Sequence, residues 1–178
     1  MNACYQPLGI VEIRPATPAD LAVIAELARL IWRAHYPSII SSAQVEYMLA
    51  QRYTPDAMTR AVATGELAYV LLTIDGEPRA FAAHGPAEAP DELKLQQLYV
   101  HPDWQGRGLG QRLLDHVESI ARAQRKTALV LTVNKRNAGA IRTYERAGFT
   151  VRCSAVFDIG QGYVMDDFVM AKHLVRSS

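Results

Sequence analysis

A mixed α/β (α+β) fold, with a central mixed sheet of about seven strands flanked by helices, is what this 178-residue sequence predicts. Three observations carry the prediction. Segments whose apolar residues recur every three to four positions are interspersed with segments that alternate or run apolar without a break. The composition, 49% hydrophobic and 21% charged, is that of an ordinary core-forming chain. The elements follow in the order β-α-α-α-β-β-β-α-β-α-β-β, with no internal repeat, low-complexity tract or long linker, so residues 1–178 are expected to form one domain.

GIVEIRPA, from Gly9, alternates as a first strand. In TPADLAVIAELARLIWRAHY, Thr17 is placed to cap a helix, Pro18 suits its first position and Asp20 its positive end. Leu21, Ile24, Ala25, Ala28, Ile31 and Trp32 form the apolar face of that helix, and Pro37 ends it. SSAQVEYMLAQRY predicts a second helix, and TPDAMTRAVATG a short third one closed by Gly65. The period then changes. ELAYVLLTI and PRAFAAHG, joined at Asp75-Gly76, predict a hairpin, and ELKLQQLYV the next strand. RGLGQRLLDHVESIARAQ is strongly helical, with Leu109, Leu113, Leu114, Val117, Ile120 and Ala121 on one side. TALVLTV is a buried strand, NAGAIRTYERAG a helix ended by Gly148, and FTVRCSAVFD and YVMDDFVMAKHL two closing strands.

Several function classes are disfavoured. With 19 Lys and Arg against 18 Asp and Glu, the net charge of +1 gives no support for a nucleic-acid or membrane-surface partner. No apolar run has the length of a membrane span, and no secretory signal is visible at the N-terminus. Cys4 and Cys153 make no ligand or redox spacing and read as small, partly buried hydrophobes, so a cytoplasmic setting is expected. No two histidines have metal-ligand spacing, and no metal is predicted. His101 reads as positional, and His116 and His173 as surface residues.

The junction Gln105-Gly106-Arg107-Gly108-Leu109-Gly110 stands between a strand and a helix. The first turn of a helix leaves backbone N–H groups without internal partners, and the aligned peptide dipoles add positive potential there. Glycines let an anion reach those donors without meeting a Cβ. The junction is therefore a candidate phosphate cradle, with Arg107 at its rim. Neither the dinucleotide fingerprint G-x-G-x-x-G nor the P-loop pattern can be written onto it.

LQQLYVHPDWQGRGLGQRLL resembles the acyl-CoA-binding motif [Q/R]-x-x-G-x-[G/A] of the GNAT acetyltransferase superfamily, through Gln105, Gly108 and Gly110. VNKRNAGAIRTYERAGF resembles the second half of the same core: an Asn, a helix carrying a Tyr, and a Gly-Phe leading into a strand. IRPATPADLAVIAELA is similar to the family's first strand and helix. More narrowly, YPSIISSAQVEYMLAQRYTPDAM and DIGQGYVMDDFVMAKHL resemble the bacterial spermidine/spermine-acetyltransferase-like group.

The resemblance implies a GNAT fold and transfer of the acetyl group of acetyl-CoA to an amine by direct attack in a ternary complex. It implies that the amides of residues 106–110 hold the coenzyme's diphosphate. Leu98, Tyr99 and Val100 would present the free backbone of a splayed strand to the pantetheine arm. The spacing of Asn137, Ile141 and Tyr144 puts them on one helix face, about 10 Å from first to last. Asn137 and Ala140 can then touch the pantetheine while Tyr144, protonated at neutral pH, serves as general acid to the sulfur.

Many relatives carry a Glu as base on the strand occupied here by Gln96 and Gln97, and glutamine takes no proton at neutral pH. The alternatives are a water chain, Glu92, Asp167 and His84. In this family the acceptor site lies between the early helices and the last hairpin. Trp32, His35, Tyr36 and Tyr47 are candidates for one side, and one of Asp166 and Asp167 for the other, since neighbours on a strand face opposite ways. A polyamine or other small cationic amine is the first expectation, and a homodimer paired through the final hairpin is possible on this pattern. The alternative to an enzyme is a GNAT-fold module that senses acyl-CoA without transfer.

Overall fold

The computed structural model describes residues 9–174. Strand β1 (Val11–Pro15) leads into α1 (Leu21–His35), α2 (Ser42–Arg52) and α3 (Pro55–Ala63). Three antiparallel strands follow, β2 (Ala68–Ile74), β3 (Glu77–Pro86) and β4 (Glu92–Val100), then α4 (Leu109–Ala123), β5 (Ala128–Asn134), α5 (Ala138–Arg146), β6 (Thr150–Gly160) and β7 (Tyr163–His173). The seven strands form one sheet in the order β1-β2-β3-β4-β5-β7-β6, with β4 and β5 parallel. The element order and the strand count are those the periodicities predict.

Alternation along the strands divides the core between the two faces of the sheet. Val70, Leu72, Ala80, Ala82, Leu93 and Leu95 face α4, whose Leu109, Leu113, Leu114, Val117 and Ala121 are buried against them. Tyr69, Leu71, Phe81 and Ala83 face the other way, onto Ile24, Ala28, Ile31 and Trp32 of α1 and onto α2 and α3. The β2–β3 turn puts both Asp75 (φ 52) and Gly76 (φ 81) at positive φ, as a tight primed hairpin turn requires.

The entry to α1 differs from the expectation. Pro18–Asp20 form a 3-10 turn, and the α-helix begins only at Leu21. Asp20 accepts the Thr17 amide at 2.7 Å and both guanidinium nitrogens of Arg14 at 2.8 Å. These donors favour the carboxylate and hold its pKa well below the ordinary range, the Arg14 bond being the largest cause. A depressed folded pKa adds stability that is present above the unfolded value near ~4 and is lost as pH falls toward the folded one. Asp20→Asn is expected to cost about 1 kcal/mol, a fall of roughly 3 °C in Tm by calorimetry. The deficit should shrink as the pH is lowered from 7 toward the folded pKa.

Cys153 is exposed rather than partly buried, because β6 is the edge strand and most of its residues face solvent. Cys4 lies outside the described residues. His101 does position its loop: its Nδ1 accepts the Asp103 amide at 3.2 Å. His173 is exposed and His116 partly buried.

Two irregularities in the sheet open the site. The β3–β4 register slips between Ala83 and His84: Ala83 faces Gln97 and His84 faces Leu95, which leaves Gln96 as a bulge. Beyond it β4 leaves its parallel partner. Pairing with β5 covers only Glu92–Leu95 against Ala128–Leu131, while Thr132, Val133 and Asn134 pair with β7 alone.

Candidate active site

The gap between the diverging ends of β4 and β5 is a cleft of about 810 Å³. At one end stands the glycine loop. Gly106 (φ 73) and Gly108 (φ 79) are left-handed, and a Cβ built on either meets no atom within 4 Å. Their need for glycine is conformational, and the space beside them is open. Gly108 is the N-cap of α4, and the helical ladder begins with the Arg112 amide on the Gly108 carbonyl at 3.1 Å. The amides of Leu109, Gly110 and Gln111 are thus first-turn donors that the helix itself does not use. Gly110 sits against the sheet: a Cβ there would lie 3.6 Å from the side chains of Leu98 and Val100. Gln105 ties the loop back by donating its side-chain amide to the Val100 carbonyl at 3.3 Å. The donors, the dipole and the open face fit a diphosphate.

Leu98, Tyr99 and Val100, on the diverging half of β4, form the middle of the cleft. Opposite, α5 contributes Asn137, Ala140 and Tyr144. Asn137 caps α5, its side-chain oxygen accepting the Ala140 amide at 3.2 Å, and its side-chain nitrogen lies 3.2 Å from Nε2 of His35. That contact links α5 to the end of α1. Tyr144 is half-buried, with its ring edge-on to Phe149 at 5.7 Å. Burial, with a smaller contribution from Tyr99, pushes its pKa up, so it keeps its proton through neutral pH.

The far end is aromatic. Trp32 and Tyr36 lie 4.5 Å apart, and the Tyr36 and Tyr99 hydroxyls are 3.2 Å apart. Asp167 closes this end; it is 5% exposed, and the Asn134 amide donates to it at 3.4 Å. Desolvation is the main cause of its raised pKa. Asp166, its neighbour, faces away and pairs with Lys135.

Four expected residues stand apart from the cleft lining: Arg107, His84, Glu92 and Tyr47. Arg107 does not line the cleft; its guanidinium packs over the Trp104 ring at 4.6 Å, at the rim. His84 lies in a different depression, beside Tyr69, Leu93 and Lys126, because the alternation of β3 puts it with Ala80 and Ala82 on the α4 side of the sheet; burial lowers its pKa. Glu92 is engaged by both guanidinium nitrogens of Arg152 at 2.8 and 3.0 Å. Tyr47 donates its hydroxyl to the Ile159 carbonyl at 2.8 Å.

Arg52, Lys94 and Asn134 also line the cleft and were not singled out from the sequence. For Lys94 a signal existed: Leu93 and Leu95 on either side are core residues, which sends Lys94 to the opposite face. Arg52 reads as an ordinary basic residue in the last turn of a helix. Among the described residues no group of His, Cys, Asp or Glu could hold a metal ion, and no helix is long and apolar enough to cross a membrane.

A helix start that can cradle a diphosphate, beside a parallel strand pair that splays to admit an extended arm, defines an acyl-CoA-dependent N-acyltransferase. The chain belongs to the acetyltransferase (GNAT) family, whose model matches residues 24–149. Among its relatives is the L-methionine sulfoximine/L-methionine sulfone acetyltransferase of Salmonella typhimurium, 43% identical over 146 residues that cover 79% of this chain and 81% of the relative. The spermidine N(1)-acetyltransferase of Thermoplasma acidophilum is 22% identical over 79% of this chain and 89% of its own. In fold, the chain is similar to the PaiA N-acetyltransferase of Thermoplasma acidophilum crystallised in complex with coenzyme A, with a TM-score of 0.78 and 22% identity over 93% of this chain and 99% of that one. It is also similar to yncA of Salmonella typhimurium crystallised with acetyl-CoA, with a TM-score of 0.69 and 24% identity over 96% and 97%.

Proposed function

We propose that this chain, acting as one domain, transfers the acetyl group of acetyl-CoA to the primary amine of a small molecule by direct attack. The observation that carries the proposal is the continuity of the cleft, from the free first-turn amides of α4, past the diverging half of β4, to Tyr144 and Asp167. Acetyl-CoA supplies the activated acetyl thioester. The amides of residues 106–111 hold its diphosphate, and the backbone of Leu98 and Tyr99 aligns its arm and polarises the thioester oxygen. The amine reaches the carbonyl carbon from the aromatic end. As the C–N bond forms and the C–S bond breaks, the amine gives up a proton to Asp167 or to water, and Tyr144 provides one to the leaving sulfur. Among the described residues, Asp167 is the one carboxylate that lines the cleft.

The sequence leads first to a polyamine acceptor, and the spermidine-acetylating relative supports that class. The relative at 43% identity supports an amine on an amino-acid-like molecule instead. Charge favours the second: three cations, Arg52, Lys94 and Arg146, and one carboxylate line the cleft. Calorimetry should show acetyl-CoA and CoA binding, and thiol release should follow on addition of an accepted amine. Acetyl-CoA at about 100 times Kd should add roughly 2.7 kcal/mol of stability. Binding without thiol release for any amine would favour the sensor reading, in keeping with glutamines at positions 96 and 97. No binding to the folded protein would overturn both.

A further inference from the structure

The acceptor end of the cleft holds positive charge that acetyl transfer itself does not call for. Lys94 lies six residues before Val100 on an extended strand, about 20 Å from it, and four before Leu98, against which Gly110 of the glycine loop packs. It is therefore placed away from the diphosphate. Its orientation follows from Leu93 and Leu95, which are buried on the α4 face and leave Lys94 on the side of α1 and α2. Arg52 comes to the same end from the last turn of α2, its guanidinium 6.0 Å from the centre of the Trp32 ring, which in turn packs edge-on to Tyr99.

The basic residues elsewhere on this surface that meet carboxylates do so directly: Arg14 with Asp20, Arg33 with Glu46, Lys135 with Asp166, Arg152 with Glu92. Neither Arg52 nor Lys94 makes an ion pair among the described residues. Arg52, which is exposed, and Lys94, which is partly buried, touch no carboxylate directly and repel each other. Burial and Arg52 both lower the Lys94 pKa, and Asp167 offsets them in part. A ligand bearing an anion relieves that repulsion, and one bearing a second ammonium worsens it. Asp167, buried and lining the same space, offers the complementary sign. Phe157, Ile159 and Met165 add an apolar wall beside these charges.

We propose that Arg52 and Lys94 bind the carboxylate of a free α-amino acid while Asp167 receives its ammonium, so that the acceptor is an amino acid with an apolar or neutral side chain and not a polyamine. This rests on the acetyltransferase reading above. The guanidinium can grip a carboxylate with two parallel hydrogen bonds, and the lysine adds a point charge. Discrimination against the same amine lacking its carboxylate then comes from leaving both cations unpaired.

The test measures thiol release from acetyl-CoA by the full-length protein. Its acceptors are L-methionine sulfone, the neutral protein L-amino acids, the decarboxylated amine of each, and spermidine. At least one amino acid is expected to exceed its decarboxylated amine and spermidine at least tenfold in kcat/KM. Arg52→Gln and Lys94→Met are each expected to lower that kcat/KM at least tenfold, chiefly through KM, and to bring the ratio toward one, with acetyl-CoA affinity unchanged. Preference for spermidine or for a decarboxylated amine overturns the proposal while leaving the acetyltransferase reading intact, as does a ratio that survives both substitutions. Should no amine release thiol although CoA binds, the acetyltransferase reading fails. Calorimetry of the same amino acids against the CoA-saturated protein then decides the anion site. Binding that is lost in Arg52→Gln upholds it; no binding, or binding that Arg52→Gln leaves unchanged, overturns it.

Discussion

Tyr144→Phe should lower kcat at least roughly tenfold, a rise of about 1.4 kcal/mol in the barrier, while the acetyl-CoA Kd from calorimetry stays within twofold. The substitution removes one oxygen and keeps the ring that packs edge-on against Phe149 at 5.7 Å, so the end of α5 should hold its place. What is lost is a proton donor that lines the cleft. Because burial raises the Tyr144 pKa, the wild-type phenol stays protonated beyond the ordinary value near ~10. Its ionisation should therefore produce no fall in kcat on the alkaline side up to that pH. A variant with unchanged turnover would reduce Tyr144 to a packing residue and leave solvent to protonate the sulfur.

The second large effect is expected at Gly108→Val. Gly108 combines φ 79 with ψ 4 at the N-cap of α4. A β-branched residue there is a conformational outlier, and even an unbranched one loses about 1–2 kcal/mol. No atom lies within 4 Å of the added Cβ, so the cost is backbone strain and not collision, and the protein should still fold with a Tm a few degrees lower. The loop relieves the strain by turning, which re-aims the first-turn amides. Acetyl-CoA affinity should fall at least tenfold by calorimetry. A variant that binds normally would show that those amides are not the diphosphate donors.

Much of this was readable without coordinates, for identifiable reasons. Apolar spacing in α1 and α4 is enforced by burial against a sheet, so every residue assigned to the α1 face is buried, and Ile120 alone on the α4 face is only partly so. The glycine loop was readable because positive φ and anion access both leave their mark as glycine. The start of α1 was misplaced by three residues because a capping Thr and a Pro open a 3-10 turn as readily as an α-helix. Strand alternation puts His84, an alternative base by its residue type, on the same face as Ala80 and Ala82, but which helix covers that face is decided by packing and not by the local sequence.

Local sequence by itself therefore determined the elements, their order, the anion-ready loop and the shared face of Asn137 and Tyr144, since each is set by neighbours within a few positions. Only the tertiary structure decided which charges meet at the acceptor end. Arg52, Lys94 and Asp167 come from α2, β4 and β7, elements far apart in the chain, and they converge because β4 parts from β5 after Leu95. The physical reason is range. Backbone conformation answers to near neighbours in sequence, whereas the pairing of charge across a cleft depends on sheet register and strand divergence, which no single segment encodes.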